Sequence, residues 1–148
     1  MKVLILGDIV GRPGRNFLKD QLEDFKQNNQ IELIIANGEN AAGGAGITAK
    51  TAKEVLGSGV DAITLGDHVW DQMNFNREID DLQYVCRPAN LPDSNPGRDR
   101  LIIEKDGLKI GIFTVLGRTF MGPKVSCPFQ TASKMVQDLD AQTDIIIA

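Results

Sequence analysis

LIIEKDGLKIGIF, residues 101–113, places two apolar, β-branched runs on either side of Asp106 and Gly107. A two-residue turn between antiparallel strands needs positive φ at both central positions. Asp-Gly supplies it, so a hairpin is predicted here. Upstream the chain has a different rhythm. Short apolar runs at 3–6, 33–36 and 62–65 alternate with stretches of helical spacing at 13–26, 48–56 and 71–79, the pattern of a parallel sheet built from βαβ units. Pro13 suits a first helical turn, Thr48 a helix N-cap, and Gly57 with Gly59 a helix end. Residues 84–85 read as a brief strand, and 91–100, with Pro92 and Asn95-Pro96-Gly97, as a loop. A helix at 132–139 and an apolar strand at 144–148 follow the hairpin. An antiparallel pair after parallel units argues against a purely doubly wound nucleotide fold. The expected class is α/β, with a mostly parallel first sheet and an antiparallel hairpin. The last apolar strand has no covering element after it, so the chain is expected to be truncated.

At 148 residues the chain has the length of one domain, with no internal repeat or low-complexity run. Its net charge of −4 speaks against a protein that covers a phosphate backbone, and no extended nucleic-acid-binding surface is expected. The amino-terminal apolar run ends at Gly7-Asp8, too short for a signal-peptide core or a membrane span. A cytoplasmic location with no membrane partner is therefore expected. Cys86 and Cys127 lack CxxC spacing and are read as reduced thiols.

Three expected strands end in polar residues: Gly7-Asp8, Gly38-Glu39-Asn40 and Gly66-Asp67-His68. Ligands collect at the carboxyl ends of strands in parallel α/β sheets, so the three stretches should converge on one rim. Carboxylates gathered there without matching Lys or Arg repel one another unless a cation sits among them. Oxygen donors such as Asp8, Glu39, Asn40 and Asp67 suit Mg²⁺, Mn²⁺ or Ca²⁺, and an imidazole ligand moves the preference towards Zn, Fe or Mn. The preceding glycines are expected to let the backbone turn sharply and to keep bulk away from a bound ion. Each residue also has a plainer reading: Asp8 as a helix cap, Glu39 and Asn40 as loop residues held locally, Asp67 and His68 as a cap and a surface histidine. Those readings would all have to hold at three consecutive strand ends. The glycine-rich runs GDIVGRPG and GGAGITAK match neither the G-x-G-x-x-G fingerprint nor P-loop spacing.

GDIVGRPGR (7–15), ANGENAAGG (36–44), LGDHVWD (65–71), RPANLP (87–92) and GRTFM (117–121), in this order, resemble the bacterial metallophosphoesterases of the YmdB type, a branch of the calcineurin-like superfamily. The resemblance implies a single metallophosphoesterase domain over 1–148, incomplete at its carboxyl end, with an αββα sandwich as its fold. It implies a dinuclear site holding two divalent or mixed-valence metal ions, Fe or Mn first and Mg or Zn as alternatives. The implied reaction is hydrolysis of a small phosphodiester, such as a 2′,3′-cyclic or 3′,5′-cyclic nucleoside monophosphate, by metal-activated hydroxide. Position by position, Asp8, Glu39 and Asn40 match metal ligands, with Glu39 bridging both ions. Asp67 falls where the family has an asparagine ligand, and His68 matches the general acid that protonates the leaving oxygen. An imidazole titrating near neutrality suits that task. Arg118, in the GRTFM match, is either a substrate contact or a structural arginine tying a loop. No substrate-binding residue is assigned, and assembly into a homo-oligomer is left open.

Aspartate at 67 keeps an oxygen ligand but adds a negative charge to the site. The family's remaining ligands are histidines beyond Ala148, and His68 is the one histidine here. The expectation is a chain that holds one wall of a phosphodiesterase site. The alternatives are a catalytically inactive binding or regulatory module of the same fold and a Rossmann-like nucleotide binder.

Overall fold

The computed structural model describes residues 1–148. Its first sheet has four parallel strands arranged in chain order: β1 (Val3–Asp8), β2 (Leu33–Asn37), β3 (Ala62–Thr64) and β4 (Val85–Cys86). Right-handed crossovers between strands that advance in one direction all fall on the same face. That face carries α1 (Gly11–Asn29), α2 (Ala49–Gly57) and the short α3 (Phe75–Glu78). Leu18, Leu22, Val55 and Phe75 of these helices share one buried cluster with Ile34, Ala36, Ile63 and Val85 of the strands. The two-residue period of a strand sends Leu33, Ile35, Ala62 and Cys86 to the opposite face, where they meet Leu101, Ile110 and Ile112.

Those last three residues belong to a second sheet of β5 (Leu101–Lys105), β6 (Leu108–Ile112) and β7 (Ile145–Ile147), in the order β5-β6-β7. β5 and β6 are antiparallel, and β6 and β7 are parallel. The outer face of this sheet is closed by α4 (Pro128–Asp140), which buries Met135 and Leu139 against Phe113. The layers run helix, sheet, sheet, helix, the expected αββα sandwich. An unbroken strand order explains it physically: with every crossover on one side, the bare face of the parallel sheet needs a second sheet rather than more helices.

The hairpin that anchors the second sheet turns at Asp106 and Gly107, with φ of 51° and 79°, as the Asp-Gly pair requires. Thr48 caps α2 reciprocally, its hydroxyl accepting from Thr51 N at 3.1 Å while Thr51 Oγ1 accepts from Thr48 N at 2.9 Å. The helix expected at 71–79 needs correction. Only Phe75–Glu78 is α-helical, followed by a 3-10 turn at Ile79–Asp81. Asn74 sits at φ 71°, and a left-handed residue interrupts any helix running through it. α4 starts at Pro128 rather than at 132, because proline in the first turn forgoes only an N–H that has no partner there. Cys86 and Cys127 are free thiols. Burial first, and then the Asp99 carboxylate, push the Cys86 thiol up to about 12, against the opposing charge of Arg87. No helix is long and apolar enough to cross a membrane.

Asn90 of the RPANLP run joins the loops that lead out of the two sheets. It is 1% exposed, donates from Nδ2 to Leu116 O at 2.8 Å and to Ser126 O at 3.1 Å, and accepts at Oδ1 from Leu116 N at 2.9 Å. Asn90→Leu strands these backbone groups, and each buried group without a partner costs about 1–3 kcal/mol. Urea unfolding of this variant is expected to show a loss of roughly 2–5 kcal/mol. A change below ~0.5 kcal/mol would show that the network contributes nothing net.

Candidate active site

β1, β2 and β3 are parallel neighbours, so their carboxyl ends open on a single rim, as the three polar strand ends lead one to expect. Asp8 arrives there through a register shift between Leu6 and Asp8, which breaks the regular pleat and re-aims the carboxylate. Asn40 Nδ2 donates to Asp8 Oδ2 at 2.8 Å. The Asn40 carbonyl in turn accepts from Gly11 N at 2.9 Å and Gly44 N at 3.1 Å, which ties this loop to the first turn of α1. Asn40 Oδ1 is buried and has no hydrogen-bond partner.

Glu39 is held from both sides. Its N–H donates to Asn37 Oδ1 at 3.1 Å, Asn37 Nδ2 donates to Glu39 Oε1 at 3.4 Å, and His68 N donates to Glu39 Oε2 at 3.2 Å. The carboxylate lies directly over Gly66, where an added Cβ would overlap it. A Cβ at Gly38 would meet Ile63 Cγ2 at 2.8 Å. Neither glycine has positive φ, and neither does Gly7, so the expectation that they make sharp turns is corrected. Gly38 and Gly66 are needed for close approach.

His68 leaves β3 on a turn that brings Asp71 back to it, with Nδ1 and Asp71 Oδ2 2.6 Å apart. The hydrogen bond to Asp71 raises the His68 pKa above its ordinary value, partial desolvation opposes the rise, and the charges of Asp67, Asp71 and Glu39 add to it. Asp71 closes the LGDHVWD run, three residues after His68. Sequence reasoning did not assign it a role, although spacing of that kind brings side chains together across a tight turn. Because His68 is the only imidazole, NMR can follow its titration alone. The raised pKa stabilises the fold fully below about 6.5, and the contribution fades as pH rises through the folded value. Asp71→Asn is expected to move the His68 titration downwards, and an unchanged midpoint would contradict the assignment of Asp71 as the main cause.

The rim thus brings together Asp8 with Asn40, and Glu39 with the His68 backbone. It does not gather three or more His, Cys, Asp or Glu side chains into a cage. Asp67 adds its charge beside them, and no Lys or Arg forms an ion pair with Asp8, Glu39 or Asp67. Carboxylates without cationic partners and a buried amide oxygen without a donor fit a hard divalent ion held against one wall. Arg118 stands exposed on its loop. The arginine that ties a loop is Arg87, 4% exposed, whose Nε donates to Pro96 O and Nη1 to Pro88 O, both at 3.1 Å.

A family model described as YmdB-like protein matches residues 4–148. A 2′,3′-cyclic-nucleotide 2′-phosphodiesterase of Bacillus subtilis (strain 168) is 36% identical over 146 residues, covering 99% of this chain and 55% of the relative. The crystal structure of a novel phosphatase from Mycoplasma pneumoniae superposes with a TM-score of 0.88 at 31% identity, covering 99% of this chain and 53% of that one. A 5′-nucleotidase precursor from Thermus thermophilus, with a TM-score of 0.64 at 18% identity over 89% of this chain and 29% of its own, shares the fold alone. The chain therefore spans about half the length of the curated relatives it matches. With the match running over nearly every residue, from the first strand to the last, this chain belongs to the family of YmdB-like proteins.

Proposed function

We propose that this chain forms one wall of the active site of a metal-dependent phosphodiesterase that hydrolyses cyclic nucleotides, 2′,3′-cyclic or 3′,5′-cyclic nucleoside monophosphates. The observation that carries the reading is the partnerless Asn40 Oδ1, buried beside Asp8 on a rim whose carboxylates have no cationic counterpart. The name of the Bacillus subtilis relative, a 2′,3′-cyclic-nucleotide 2′-phosphodiesterase, supports the substrate class. Asp8, Glu39, Asn40 and Asp67 would hold two ions of the Fe or Mn type. When bound, the ions supply Lewis acidity towards the phosphoryl oxygens and lower the pKa of water.

The remaining work falls to the chain. His68 protonates the departing ribose oxygen. Asp71 occupies Nδ1, so the proton available to substrate is at Nε2, and the carboxylates around the ring favour its charged form. Asp71 acts through His68 as a positioning residue. Gly66 lets the Glu39 carboxylate approach the end of β3, where Asn37 Nδ2 and His68 N each hold one of its oxygens.

The test is hydrolysis of 2′,3′-cyclic AMP by a chimaera that joins this chain to the carboxyl-terminal remainder of the Bacillus subtilis relative. Turnover is expected, abolished by EDTA, restored by Mn²⁺, and far slower in this chain alone. Turnover insensitive to EDTA would contradict the proposal. One observation favours a second reading, a catalytically inactive binding module: aspartate at 67 adds a negative charge where the resemblance implies an asparagine ligand. That reading requires a chimaera that binds the nucleotide in EDTA and never hydrolyses it.

A further inference from the structure

A cleft of about 740 Å³ lies between α1 and α2, and no hydrophobic residue lines it. Arg12, Arg15 and Lys19 face it from α1 and Lys50 and Lys53 from α2, against a single carboxylate, Glu54. Glu54 is already engaged, accepting from Arg15 Nε at 2.7 Å. The other four cations make no ion pair. In a chain of net charge −4 this is a local reversal of sign, which the overall balance concealed when it pointed away from a nucleic-acid surface.

The placement also runs against helix stability. The positive end of a helix dipole favours Asp or Glu in the first turn. Neither α1 nor α2 has an acidic residue there, and Arg12 and Lys50 add positive charge where the dipole is already positive. Asp20, Glu23 and Asp24 occupy the later turns of α1 instead. A merely solvated charged face would gain from the opposite arrangement. Positions 12, 15 and 19 lie along one helix face over about 10 Å. Arg15, which lines the cleft, also donates from Nη1 to the carbonyl of Ala41, the residue after Asn40 of the rim.

We propose that this cleft holds the phosphate backbone of a single-stranded RNA whose end reaches the carboxylate rim, so that the terminal phosphodiester of an oligonucleotide is a substrate. The substrate half of this rests on the phosphodiesterase reading above. A 2′,3′-cyclic phosphate requires a ribose 2′-oxygen, which selects RNA over DNA. With nothing in the lining to stack a base, contact is to phosphates and is independent of sequence. A concave cleft without exposed apolar side chains fits a strand better than it fits a lipid surface.

Binding is measured by fluorescence anisotropy on this chain, with a short labelled single-stranded RNA ending in a 3′-hydroxyl and EDTA present. Neither metal nor a scissile bond then contributes, and failure of the phosphodiesterase reading leaves the result intact. Binding is expected to weaken with salt, with log K falling against log[salt] at a slope of roughly −2 to −3, about −0.7 per phosphate neutralised. Lys19→Glu with Lys53→Glu is expected to weaken it at least about tenfold, whereas Lys109→Glu with Lys134→Glu, away from the cleft, changes it less than about twofold. The first pair of changes should leave the melting temperature nearly unchanged, since both lysines are exposed and make no ion pair. No RNA binding at about 50 mM salt, equal losses in both double variants, or binding to anionic phosphatidylserine vesicles in place of RNA would overturn the proposal.

Discussion

Replacing Gly66 by alanine in the chimaera is expected to leave the fold standing, to lower Mn²⁺ affinity by about 10–100-fold and to lower phosphodiester turnover by about 10²-fold. The backbone at Gly66 has no positive φ, so alanine takes the same conformation without strain. Its Cβ, however, would occupy the space of the Glu39 carboxylate. That carboxylate is the far end of a flexible side chain and can swing aside, at a cost near the ~1 kcal/mol of a lost hydrogen bond, here the 3.2 Å bond from His68 N. The swing removes the proposed metal-holding carboxylate from its place, and a displacement of ~1 Å in a catalytic group costs about 10²-fold. Calorimetric titration with Mn²⁺ and urea unfolding of the same preparation separate the two effects. An alanine variant that binds Mn²⁺ as the parent does would remove Glu39 from the metal site.

His68→Gln is expected to lower turnover of 2′,3′-cyclic AMP by ~10²–10⁴-fold, the usual worth of a positioned general acid, with metal content unchanged. The substrate dependence makes this specific. A ribose oxygen is a poor leaving group and needs a proton as it departs, whereas nitrophenolate leaves without one. The loss on bis-p-nitrophenyl phosphate should therefore be much smaller than on the cyclic nucleotide. Equal losses on both substrates would assign His68 to binding or metal positioning and contradict the acid role. Asp71→Asn should fall between the parent and His68→Gln on the cyclic nucleotide, because it removes the negative charge at Nδ1 and leaves the ring in place.

The parts of this structure legible in the sequence are those governed by local rules. Asp106-Gly107 fixes a hairpin because few other pairs accept positive φ at both positions, and that hairpin argued against a purely doubly wound sheet, while the two-sheet sandwich was implied by the family resemblance. The convergence of Asp8, Glu39 and His68 was legible because adjacent parallel strands must end on one rim. Features set by tertiary context were not. The stretch 71–79 carries a helical spacing, yet the His68–Asp71 turn and the left-handed Asn74 leave room for a single turn of α-helix. Gly66 reads as a turn glycine until the Glu39 carboxylate is seen lying over it. The basic cleft stayed hidden because its five cations come from two helices and are averaged away by acids elsewhere.

Metal content decides whether the rim of Asp8, Glu39, Asn40 and Asp67 is one wall of a metal site. Inductively coupled plasma mass spectrometry is applied to this chain and to the chimaera with the Bacillus subtilis relative, both purified in Mn²⁺. The chimaera is expected to retain a pair of ions and the chain alone substantially less, with the chimaera's metal lost in Asn40→Ala. Chimaera and chain both free of tightly held metal, or metal retained undiminished in Asn40→Ala, would contradict a metal site on this rim.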